Sequence, residues 1–558
     1  MTHLTIKIGT SDFRTLRKSD GYYVDKSLFV AEIIKGSDII VLPRPRRFGK
    51  TLNMRTLCIF LDRKETDQDT LFAGLKLMDQ PESVLLHKGR HPVIYLTLKD
   101  WKFTLFSDLE ICMREAMAEL FEQNADLLPS LMPLELREYE EILSRKSSLP
   151  MLEKSLKTLS TWMKRIYGED VAILIDEYDS PIIHAWQKGY LPKAIELLRP
   201  WFSAALKDNL AMYKGVLTGI LRVGKENLFS GLNNPEIASV LHEGPFEDKF
   251  GFTEDEVSQL LTDFGKPDRL DEARQWYNGY RFGQTTIYNP WSITHFAKNP
   301  SVLPEPYWVN TSDNALVYQC LAEREDDIRE QLQGILEGRE VWAVLNDNTV
   351  FADISRDPDC LWSFLAHTGY LKIAPYRIDL QGNKEFPLAL PNEELRAIFR
   401  TFVERAYWKP AYKGIKVILK AIIEDDAPLL QKELGELFRQ IVSFHDGSAK
   451  EPEAFIHGFF LAMAANLSNR YLIESNREAG LGRADMILIP RHPSQFGLPK
   501  IFEFKSIDKD DDPQAALTAA LKQIADKDYS ARCRAAGFAD FAAFALVQQG
   551  KKLFIQRA

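Results

Sequence analysis

The sequence predicts an α/β protein in three parts: a parallel sheet with a helical insert, a mainly helical middle region, and a C-terminal α/β unit. Three observations support this. Short apolar runs separated by helical patterns fill the first part and are typical of buried parallel strands. Helical and turn-rich segments follow, and apolar strands return near the end. We therefore expect domains over 1–230, 231–450 and 451–558.

Four short apolar runs define the predicted N-terminal sheet. Their ranges are 38–43, 93–98, 171–175 and 214–220. Between the second and third runs, two segments with helical periodicity and no internal glycine predict a helical insert. These helices cover about 106–123 and 151–167, and Pro133 and Pro150 punctuate the insert.

The middle region begins with a clear helix signal. Thr253 and Glu256 form a T-x-x-E capping box that predicts a helix over 254–264. Further on, Asn392 is placed to cap a helix that runs to about residue 407. Short strands such as 370–373 interrupt a region that we otherwise expect to be mainly helical.

The C-terminal part alternates helices with apolar strands. A helix over 452–467 precedes strands at 484–489 and 500–504, and a helix over 513–527 is followed by a strand at 542–547. The two central strands are joined by a Pro/Gly-rich loop, which predicts a β-hairpin at the centre of this unit.

Length, charge and cysteine content limit the class of protein. The 558 residues exceed the roughly 250–300 at which a single core stops growing. The net charge of -9, from 70 Lys+Arg and 79 Asp+Glu, gives no support for nucleic-acid binding, which would need a local basic surface. Five scattered cysteines form no C-x-x-C pair, no secretory signal is expected, and no apolar run reaches the ~20 residues that span a bilayer. A cytoplasmic protein without membrane association is predicted.

The string LPRPRRFGKT at 42–51 follows a predicted strand and precedes a predicted helix. It is similar to the phosphate-binding loop G-x-x-x-x-G-K-[ST], in which a helix N-terminus attracts phosphate. Gly49 would allow close backbone approach, Lys50 would reach the β- and γ-phosphates, and Thr51 would hold Mg²⁺. Arg44 stands where the first glycine is expected, so Pro43 and Pro45 would have to shape the loop.

Arg46 and Arg47 add positive charge to this loop, and we include Arg47 among the candidate ATP-binding residues. The partner motif is ILIDEYD at 173–179, a buried strand that ends in two acids. Asp176 would bind Mg²⁺, and Glu177 would orient and deprotonate the attacking water. Thr218 ends the next strand, where a polar side chain could sense the γ-phosphate.

Arg222 is a further candidate for stabilising charge on the phosphates. The alternative interpretation is that GKT is only a helix-starting turn and DEYD a solvated strand end. Thr218 and Arg222 would then be packing or surface residues.

A second constellation lies near the C-terminus. Asp485 begins one strand, and Glu503 and Lys505 lie two residues apart on the next, so their side chains share one face. In a hairpin Asp485 can meet Glu503, and two carboxylates make a hard oxygen site for Mg²⁺ or Mn²⁺. Such a metal activates water and stabilises charge on a scissile phosphate, and Lys505 would help position that water.

Other residues could support this second site. Glu474 is a possible further metal ligand, Arg483 a phosphate contact, and Gln523 a residue that steers the backbone or the metal-bound water. Tyr529 lies six residues after Gln523 and need not share its helix face. The alternative interpretation is a surface strand on which Glu503 and Lys505 form a weak ion pair.

Both motif sets together resemble a bacterial family of AAA-ATPase-like proteins with a C-terminal PD-(D/E)xK nuclease domain. The strings that carry the resemblance span nearly the whole chain and include IGTSDFRTL, GYYVDKS, RPRRFGKT, ILIDEYDSP, TGILRVGKENLFSGLNN, WYNGYRFG, IYNPWS, YWVNTS, SNREAGLGRADM and IFEFK. The resemblance implies a P-loop NTPase sheet and a PD-(D/E)xK nuclease-like fold at the C-terminus. It also implies that RPRRFGKT is the family's own form of the loop.

The resemblance implies ATP binding by Gly49, Lys50 and Thr51, with Asp176 and Glu177 as the Walker B pair. It further implies a metal nuclease site, which in this sequence falls on Asp485, Glu503 and Lys505. The expected activity is cleavage of nucleic acid, with DNA favoured, by an ATPase that uses ATP and Mg²⁺. Two alternatives stay open: a nucleotide-dependent binding module that does not cut, and an ATPase that acts on a protein partner. An oligomer is compatible with either.

Overall fold

The computed structural model describes the chain except for residues 1–4, 20, 223–234, 300–302, 311–316, 318–325, 348–353, 355–356, 408–411, 443–451, 465–466, 469, 480–481, 492–496 and 551. The chain divides into two compact units, Met1–Arg396 and Ala397–Ala558. The three-part division expected from the sequence stays a prediction.

The first unit is built on a five-stranded sheet in which every pairing is parallel. Its strands are β1 (Ile39–Pro43), β2 (Val93–Thr97), β3 (Val171–Asp176), β4 (Met212–Gly219) and β5 (Glu236–Ile237), in the order β2-β3-β4-β1-β5. The four predicted strands are confirmed, and β5 was not predicted. Strands β1 and β3 are buried along their whole length, as their unbroken apolar runs suggested.

The register brings three chemically important strand ends to one edge of this sheet. Asp176 of β3 pairs with Thr218 of β4, and Thr218 in turn pairs with Leu42 at the end of β1. The carboxyl ends of parallel strands are where an open α/β sheet commonly binds its ligand. The phosphate loop therefore starts beside the two strand ends that carry the candidate polar residues.

Helices accompany the sheet along the chain. They are α1 (Phe13–Lys18), α2 (Leu28–Lys35), α3 (Lys50–Leu61), α4 (Gln68–Phe72), α5 (Glu82–Leu85), α6 (Phe106–Glu122), α7 (Pro133–Leu143), α8 (Leu149–Tyr167), α9 (Ser180–Lys188) and α10 (Leu191–Leu206). Short 3-10 helices cover Lys76–Asp79 and Ala125–Ser130.

The helical insert between β2 and β3 contains three helices, where two were predicted. Helices α6 and α8 confirm the prediction, but Pro133 begins α7 and does not merely punctuate the insert. Proline is tolerated at the first helical position because that residue has no intrahelical acceptor for an N–H. At the start of α7, the Glu135 carboxylate accepts a hydrogen bond from the backbone N–H of Met132 at 2.8 Å.

The rest of the first unit is mainly helical, as predicted, with small sheets added. Its helices are α11 (Glu254–Asp263), α12 (Leu270–Tyr277), α13 (Pro290–Lys298), α14 (Asp326–Leu336), α15 (Pro358–His367) and the start of α16 (Glu393–Tyr407). Short 3-10 helices cover Pro267–Arg269 and Tyr307–Asn310. The two predicted caps are present, since Thr253 accepts from the N–H of Glu256, and Asn392 accepts from the N–H of Leu395 at 3.0 Å.

Two small antiparallel sheets complete this region. A hairpin joins β6 (Tyr280–Phe282) to β7 (Thr285–Ile287). In the second sheet, β11 (Lys384–Ala389) pairs with β8 (Val341–Val344), β9 (Lys372–Ile373) and β10 (Arg377–Ile378). The predicted short strand near 370–373 corresponds to β9.

The second unit has a five-stranded mixed sheet flanked by helices. Its strands are β12 (Tyr471–Ala479), β13 (Gly482–Pro490), β14 (Lys500–Ile507), β15 (Ala542–Gln549) and β16 (Lys552–Arg557), in sequential order. Its helices are α17 (Tyr412–Ile423), α18 (Ala427–Val442), α19 (Pro452–Ala464), α20 (Pro513–Asp526) and α21 (Ala531–Ala535). Only the β14–β15 pairing is parallel. The central hairpin β13–β14 is confirmed, and β12 and β16 were not predicted.

The two faces of this sheet bury different cores. Met486, Leu488 and Phe502 point into a cluster with residues of α18 and α19. Ile487 and Ile501 point to the opposite face, where they pack with Ile524 and other residues near α20 and α21. This alternation follows from the two-residue repeat of a strand. It determines which side chains of β13 and β14 lie together in the candidate site.

Candidate active sites

The phosphate loop occupies residues 44–49, between the end of β1 and the start of α3. Gly49 has a φ of 87°, in the left-handed region that favours glycine. Lys50 is buried, and its Nζ donates to the carbonyl oxygens of Arg44 and Pro45, each at 2.9 Å. Burial lowers the pKa of Lys50, while nearby carboxylates, Glu177 foremost, oppose that shift. A buried cation at an open helix N-terminus suits a phosphate group.

Asp176 lies at the centre of a hydroxyl–carboxylate network beside the loop. Its Oδ2 accepts a hydrogen bond from Thr51 Oγ1 at 2.7 Å, and its Oδ1 accepts one from Thr218 Oγ1. Asp176 is only 1% exposed. Hydroxyl and carboxylate oxygens are ligands that Mg²⁺ prefers, so these residues fit a magnesium ion bound with nucleotide. In the structure, Thr218 holds the Asp176 carboxylate.

Glu177 follows Asp176 in an unusual backbone conformation. Its φ of 54° is in the left-handed region, which costs a non-glycine residue about 1 kcal/mol or more. The Glu177 charge opposes the burial that lowers the pKa values of Arg46 and Arg47. The bend at Glu177 thus places a carboxylate among the cations of the phosphate loop.

Tyr178 and Asp179 were not predicted to be site residues, yet they fix the chain that follows Thr218. The Asp179 carboxylate accepts from the backbone N–H of Ile220 at 2.7 Å and of Leu221 at 2.9 Å. The Tyr178 hydroxyl donates to the Leu221 carbonyl at 2.5 Å. Burial raises the pKa of Asp179. The motif DEYD thus holds the chain at the end of β4, and the sequence signal was its third acid, Asp179.

Arg44 is a buried structural residue, although it stands where the loop pattern has glycine. Its guanidinium donates to three carbonyl oxygens: that of Pro43 at 2.9 Å, that of Phe246 at 3.3 Å, and that of Ala238. It also lies over the rings of Phe250 and Phe282, at 5.1 and 5.2 Å. Burial lowers the pKa of Arg44 to about 9. Residues from the middle of the chain therefore shape the loop through Arg44. The flanking prolines, Pro43 and Pro45, do not by themselves explain the shape of the loop.

Two more loop residues are held by the same part of the chain. Phe48 is buried, with its ring 4.9 Å from that of Tyr280, and its carbonyl accepts from the N–H of Gly251 at 3.1 Å. Pro45 packs so closely on Gly369 that a Cβ there would lie 2.9 Å from the Pro45 Cβ. The aromatic motif WYNGYRFG, which includes Tyr280 and Phe282, thus supports the loop.

The remaining candidates of this site are partly defined. Arg47 is exposed, with a φ of 69°. The Nε of Arg222 is buried with no hydrogen-bond partner in the described part of the chain. The string VGKENLFSGLNN, at 223–234, lies outside the described residues.

In the second unit, β13 and β14 bring Asp485 and Glu503 to the same place. The ladder pairs Met486 with Phe502 and Ile487 with Ile501, so Asp485 comes next opposite Glu503. Asp485 Oδ2 accepts a hydrogen bond from the backbone N–H of Phe504 at 2.8 Å. Glu503 is only 1% exposed. The register thus brings Asp485 and Glu503 to neighbouring positions on adjacent strands, and their meeting at one metal stays a prediction.

The Glu503 carboxylate is engaged from two sides. Its Oε1 accepts from Lys505 Nζ at 2.8 Å and from the Gln523 side chain. The Gln523 Nε2 also lies 3.2 Å from the Tyr529 hydroxyl. Tyr529 is therefore part of this network, because α20 ends at Asp526 and the chain turns back. The expectation that helical phase separates Tyr529 from Gln523 does not apply beyond the helix end.

Glu474 is held by an ion pair. Glu474 pairs in register with Ile487 and is 4% exposed, and Arg532 donates to both its carboxylate oxygens at 2.6–3.2 Å. Where the chain is described, no three His, Cys, Asp or Glu side chains group to hold a metal. Asp485 and Glu503 thus remain the candidate metal ligands, and the arginine accounts for the Glu474 charge.

Each end of the chain matches the model of a known family. Residues 7–229 match the model of a family described as predicted AAA-ATPase. Residues 451–558 match the model of the PD-(D/E)XK nuclease superfamily. The first match contains the phosphate loop and Asp176, and the second contains Asp485, Glu503 and Lys505.

Two individual proteins are similar over longer stretches. An uncharacterized protein in the vnfD 5' region of Azotobacter chroococcum mcd 1 is 27% identical over 546 residues, which are 96% of this chain and 95% of that protein. The Walker-type ATPase PABY2304 of Pyrococcus abyssi is 14% identical, with a TM-score of 0.33, over 67% of this chain and 94% of that one. A TM-score of 0.33 is too low to establish a shared fold. In the described residues, no helix is long and apolar enough to cross a membrane.

Proposed function

The chain carries an N-terminal domain of the predicted AAA-ATPase family and a C-terminal domain of the PD-(D/E)XK nuclease superfamily, and we propose that it is an ATP-binding, metal-dependent nuclease. The observation that carries the nuclease proposal is the placement of Asp485 opposite the buried Glu503, with Lys505 bonded to Glu503. Burying charged groups is costly unless they are paired or used. This arrangement supports a hydrolytic site.

The ATPase part of the proposal rests on the phosphate loop and the Asp176 network. Lys50, which now donates to loop carbonyls, would bind the β- and γ-phosphates, and Thr51 and Asp176, which are hydrogen-bonded to each other, would hold Mg²⁺. Glu177 takes a proton from the attacking water. Thr218 keeps the Asp176 carboxylate oriented. Hydrolysis, and not only binding, is part of the proposal.

The nuclease part assigns one role to each residue. Asp485 and Glu503 would hold a divalent metal, whose chemistry would be to activate water and to stabilise charge on the phosphate. Lys505 and Gln523 both donate to the Glu503 carboxylate and fix its orientation. Glu474 completes the metal ligands only where Arg532 gives up its ion pair, so it is the least supported ligand.

Further details are also proposals. We propose Mg²⁺ as the metal, DNA as the substrate and the cytoplasm as the location. The scattered cysteines support a reducing compartment. We also propose an oligomer and a three-part division at about residues 230 and 450, where the first family match ends and the second begins.

ATP binding is tested by calorimetry with Lys50→Ala. Removing the ammonium should weaken ATP·Mg²⁺ binding at least tenfold, since hydrogen bonds to charged groups contribute about 1.5–3 kcal/mol. Lys188→Ala, at the exposed end of α9, is the control. Equal affinity in wild type and Lys50→Ala would refute the assignment.

Cleavage is tested on single- and double-stranded DNA and on RNA, with Mg²⁺ or Mn²⁺. Glu503→Gln should stop cutting, because it keeps the shape of the side chain and removes the charge. Protein that cuts equally well with excess chelator would contradict a metal-dependent site.

A second candidate function has one observation in its favour. In the described residues, no three His, Cys, Asp or Glu side chains group to hold a metal. A nucleotide-dependent module that binds nucleic acid or protein without cutting would have this appearance. Salt-sensitive DNA binding without cleavage under any metal condition would support this second function.

A further inference from the structure

Arg47 is the exposed cation of the phosphate loop, and its guanidinium stacks on a tryptophan that is far away in the sequence. The guanidinium carbon lies 4.0 Å from the centre of the Trp291 ring. A cation over an indole face is attracted by the ring's electrons. Trp291 is 244 residues further along the chain, in the string IYNPWS, so no local motif relates the two.

The backbone and the ring of Trp291 are both held in place. Asn289 caps α13 by accepting from the backbone N–H of Trp291 at 2.9 Å. The indole Nε1 donates to the Tyr307 carbonyl at 3.3 Å. The ring of His295 lies 4.6 Å away, so the indole is supported on α13 as well. Trp291 is therefore a prepared platform on which Arg47 rests.

Arg47 belongs to the phosphate loop itself, between the end of β1 and the start of α3. Its φ of 69° turns the backbone there. Burial lowers the pKa of Arg47, and the Glu177 charge opposes that shift. A guanidinium stacked on a ring keeps its N–H donors along its edge, free to bind a phosphate. A long side chain fixed in advance loses less entropy when it binds.

We propose that Trp291 is a positioning residue of the nucleotide site, which holds Arg47 ready for the phosphates of ATP. This rests on the proposed ATP binding and adds a residue outside the ATPase family match, which ends at 229. Trp291 would contribute to affinity through Arg47 and not by touching ATP. Its effect should disappear when Arg47 is absent.

The experiment measures the Kd of ATP·Mg²⁺ for wild type, Trp291→Leu, Arg47→Ala and the double variant. Cation–π pairs of this kind contribute about 0.5–1 kcal/mol, so Trp291→Leu should weaken binding about two- to fivefold. Trp291→Phe keeps an aromatic face and should recover most of the affinity. In the Arg47→Ala background, Trp291→Leu should add no further loss.

The chain offers a matched control. Arg377 lies over Trp342 at the same distance, 4.0 Å, on the sheet of β8–β11. Trp342→Leu should leave the Kd unchanged. If it weakens binding as much as Trp291→Leu does, the effect is general destabilisation and the proposal is overturned.

Tryptophan emission gives a readout that does not need a leucine variant to fold. ATP should change the emission of wild type, and the change should be lost in Trp291→Phe and in Arg47→Ala. The inference about Trp291 is overturned, while ATP binding stands, if ATP still changes the emission of both variants as it does in wild type. It is also overturned if Trp291→Leu weakens ATP binding as much in the Arg47→Ala background as in wild type. A wild type that binds no ATP overturns the proposed function with it.

Discussion

At the scale of single residues, Arg44 explains how a phosphate loop forms without its first glycine. The guanidinium is buried and satisfies the carbonyl oxygens of Ala238 and Phe246. Glycine at this position would leave those carbonyl oxygens without the Arg44 donors, and a cavity would replace the guanidinium. The sequence predicted the loop from Gly49, Lys50 and Thr51, but the contribution of Arg44 depends on residues some 200 positions away.

Arg44→Gly should therefore destabilise the protein, although it restores the usual loop pattern. Lost hydrogen bonds to buried groups and the added backbone entropy of glycine together cost roughly 2–4 kcal/mol. Urea unfolding measures this. Arg145→Gly is the control, because Arg145 is exposed with a φ of 62°, where glycine is favoured. Equal stability of wild type and Arg44→Gly would contradict a structural role.

Glu394 is a buried carboxyl that should make stability depend on pH. It accepts from Ser292 Oγ at 2.8 Å and from the N–H of Trp308 at 2.8 Å, with no exposed surface. Burial raises the pKa of Glu394 to about 8, from 4.5. The folded state thus holds a proton that the unfolded state releases. Its stabilisation is complete below pH 4.5 and is lost as the pH rises towards 8.

The corresponding prediction is a falling free energy of unfolding between these two pH values. One proton gives a slope of up to about 1.4 kcal/mol per pH unit. Glu394→Gln keeps an acceptor for Ser292 and Trp308 and cannot titrate, so its curve should be flatter. Unfolding of both proteins across this pH range measures the difference. Identical slopes would show that Glu394 does not titrate as described.

At the scale of elements, the capping box of α11 is a local signal that the sequence predicted and the structure confirms. Thr253 and Glu256 exchange hydrogen bonds, with the Glu256 carboxylate 2.8 Å from the Thr253 nitrogen. Lys26 also contacts that carboxylate at 2.5 Å. The cap thus joins the start of α11 to the N-terminal segment.

Thr253→Ala should lower the free energy of unfolding by about 1 kcal/mol, the usual cost of losing a helix cap. Thr262→Ala, in the last turn of the same helix and exposed, should change it by less than about 0.5 kcal/mol. Thermal or urea unfolding compares the two. A larger loss in Thr262→Ala than in Thr253→Ala would contradict the cap's contribution.

Elements whose signals are local were predicted well, and elements that depend on partners were not. The strands β1 to β4 and the caps at Thr253 and Asn392 were recognised from apolar runs and polar caps. Strand β5 has two residues and exists because β1 offers it a partner. Helix α7 was missed because its leading Pro133 is equally typical of a turn. Neither contains enough periodic pattern for a prediction.

The candidate sites divide in the same way. Residues close together on one strand, such as Glu503 and Lys505, or next to a loop signal, such as Lys50 and Thr51, could be found from spacing. Contacts between residues far apart in the sequence could not be found in this way. Trp291 on Arg47 and Arg532 on Glu474 both depend on the fold. For Arg532 no sequence signal was available.

At the scale of the whole molecule, the chain combines two units, each with its own sheet and its own charged site. The first contains the phosphate loop and Asp176, and the second contains Asp485 and Glu503. We expect the chemistry of the second site to depend on Asp485 and any ATP effect to depend on Lys50. These two dependences can be separated by single substitutions.

The most direct test of this account is cleavage of supercoiled plasmid with Mg²⁺ or Mn²⁺, with and without ATP. Wild type, Lys50→Ala and Asp485→Ala are compared, with the exposed Asp540→Ala as the control. We predict that Asp485→Ala does not cut, that Lys50→Ala cuts without responding to ATP, and that Asp540→Ala behaves as wild type. Wild type that cuts nothing under any condition, or Asp485→Ala that cuts normally, would contradict the account.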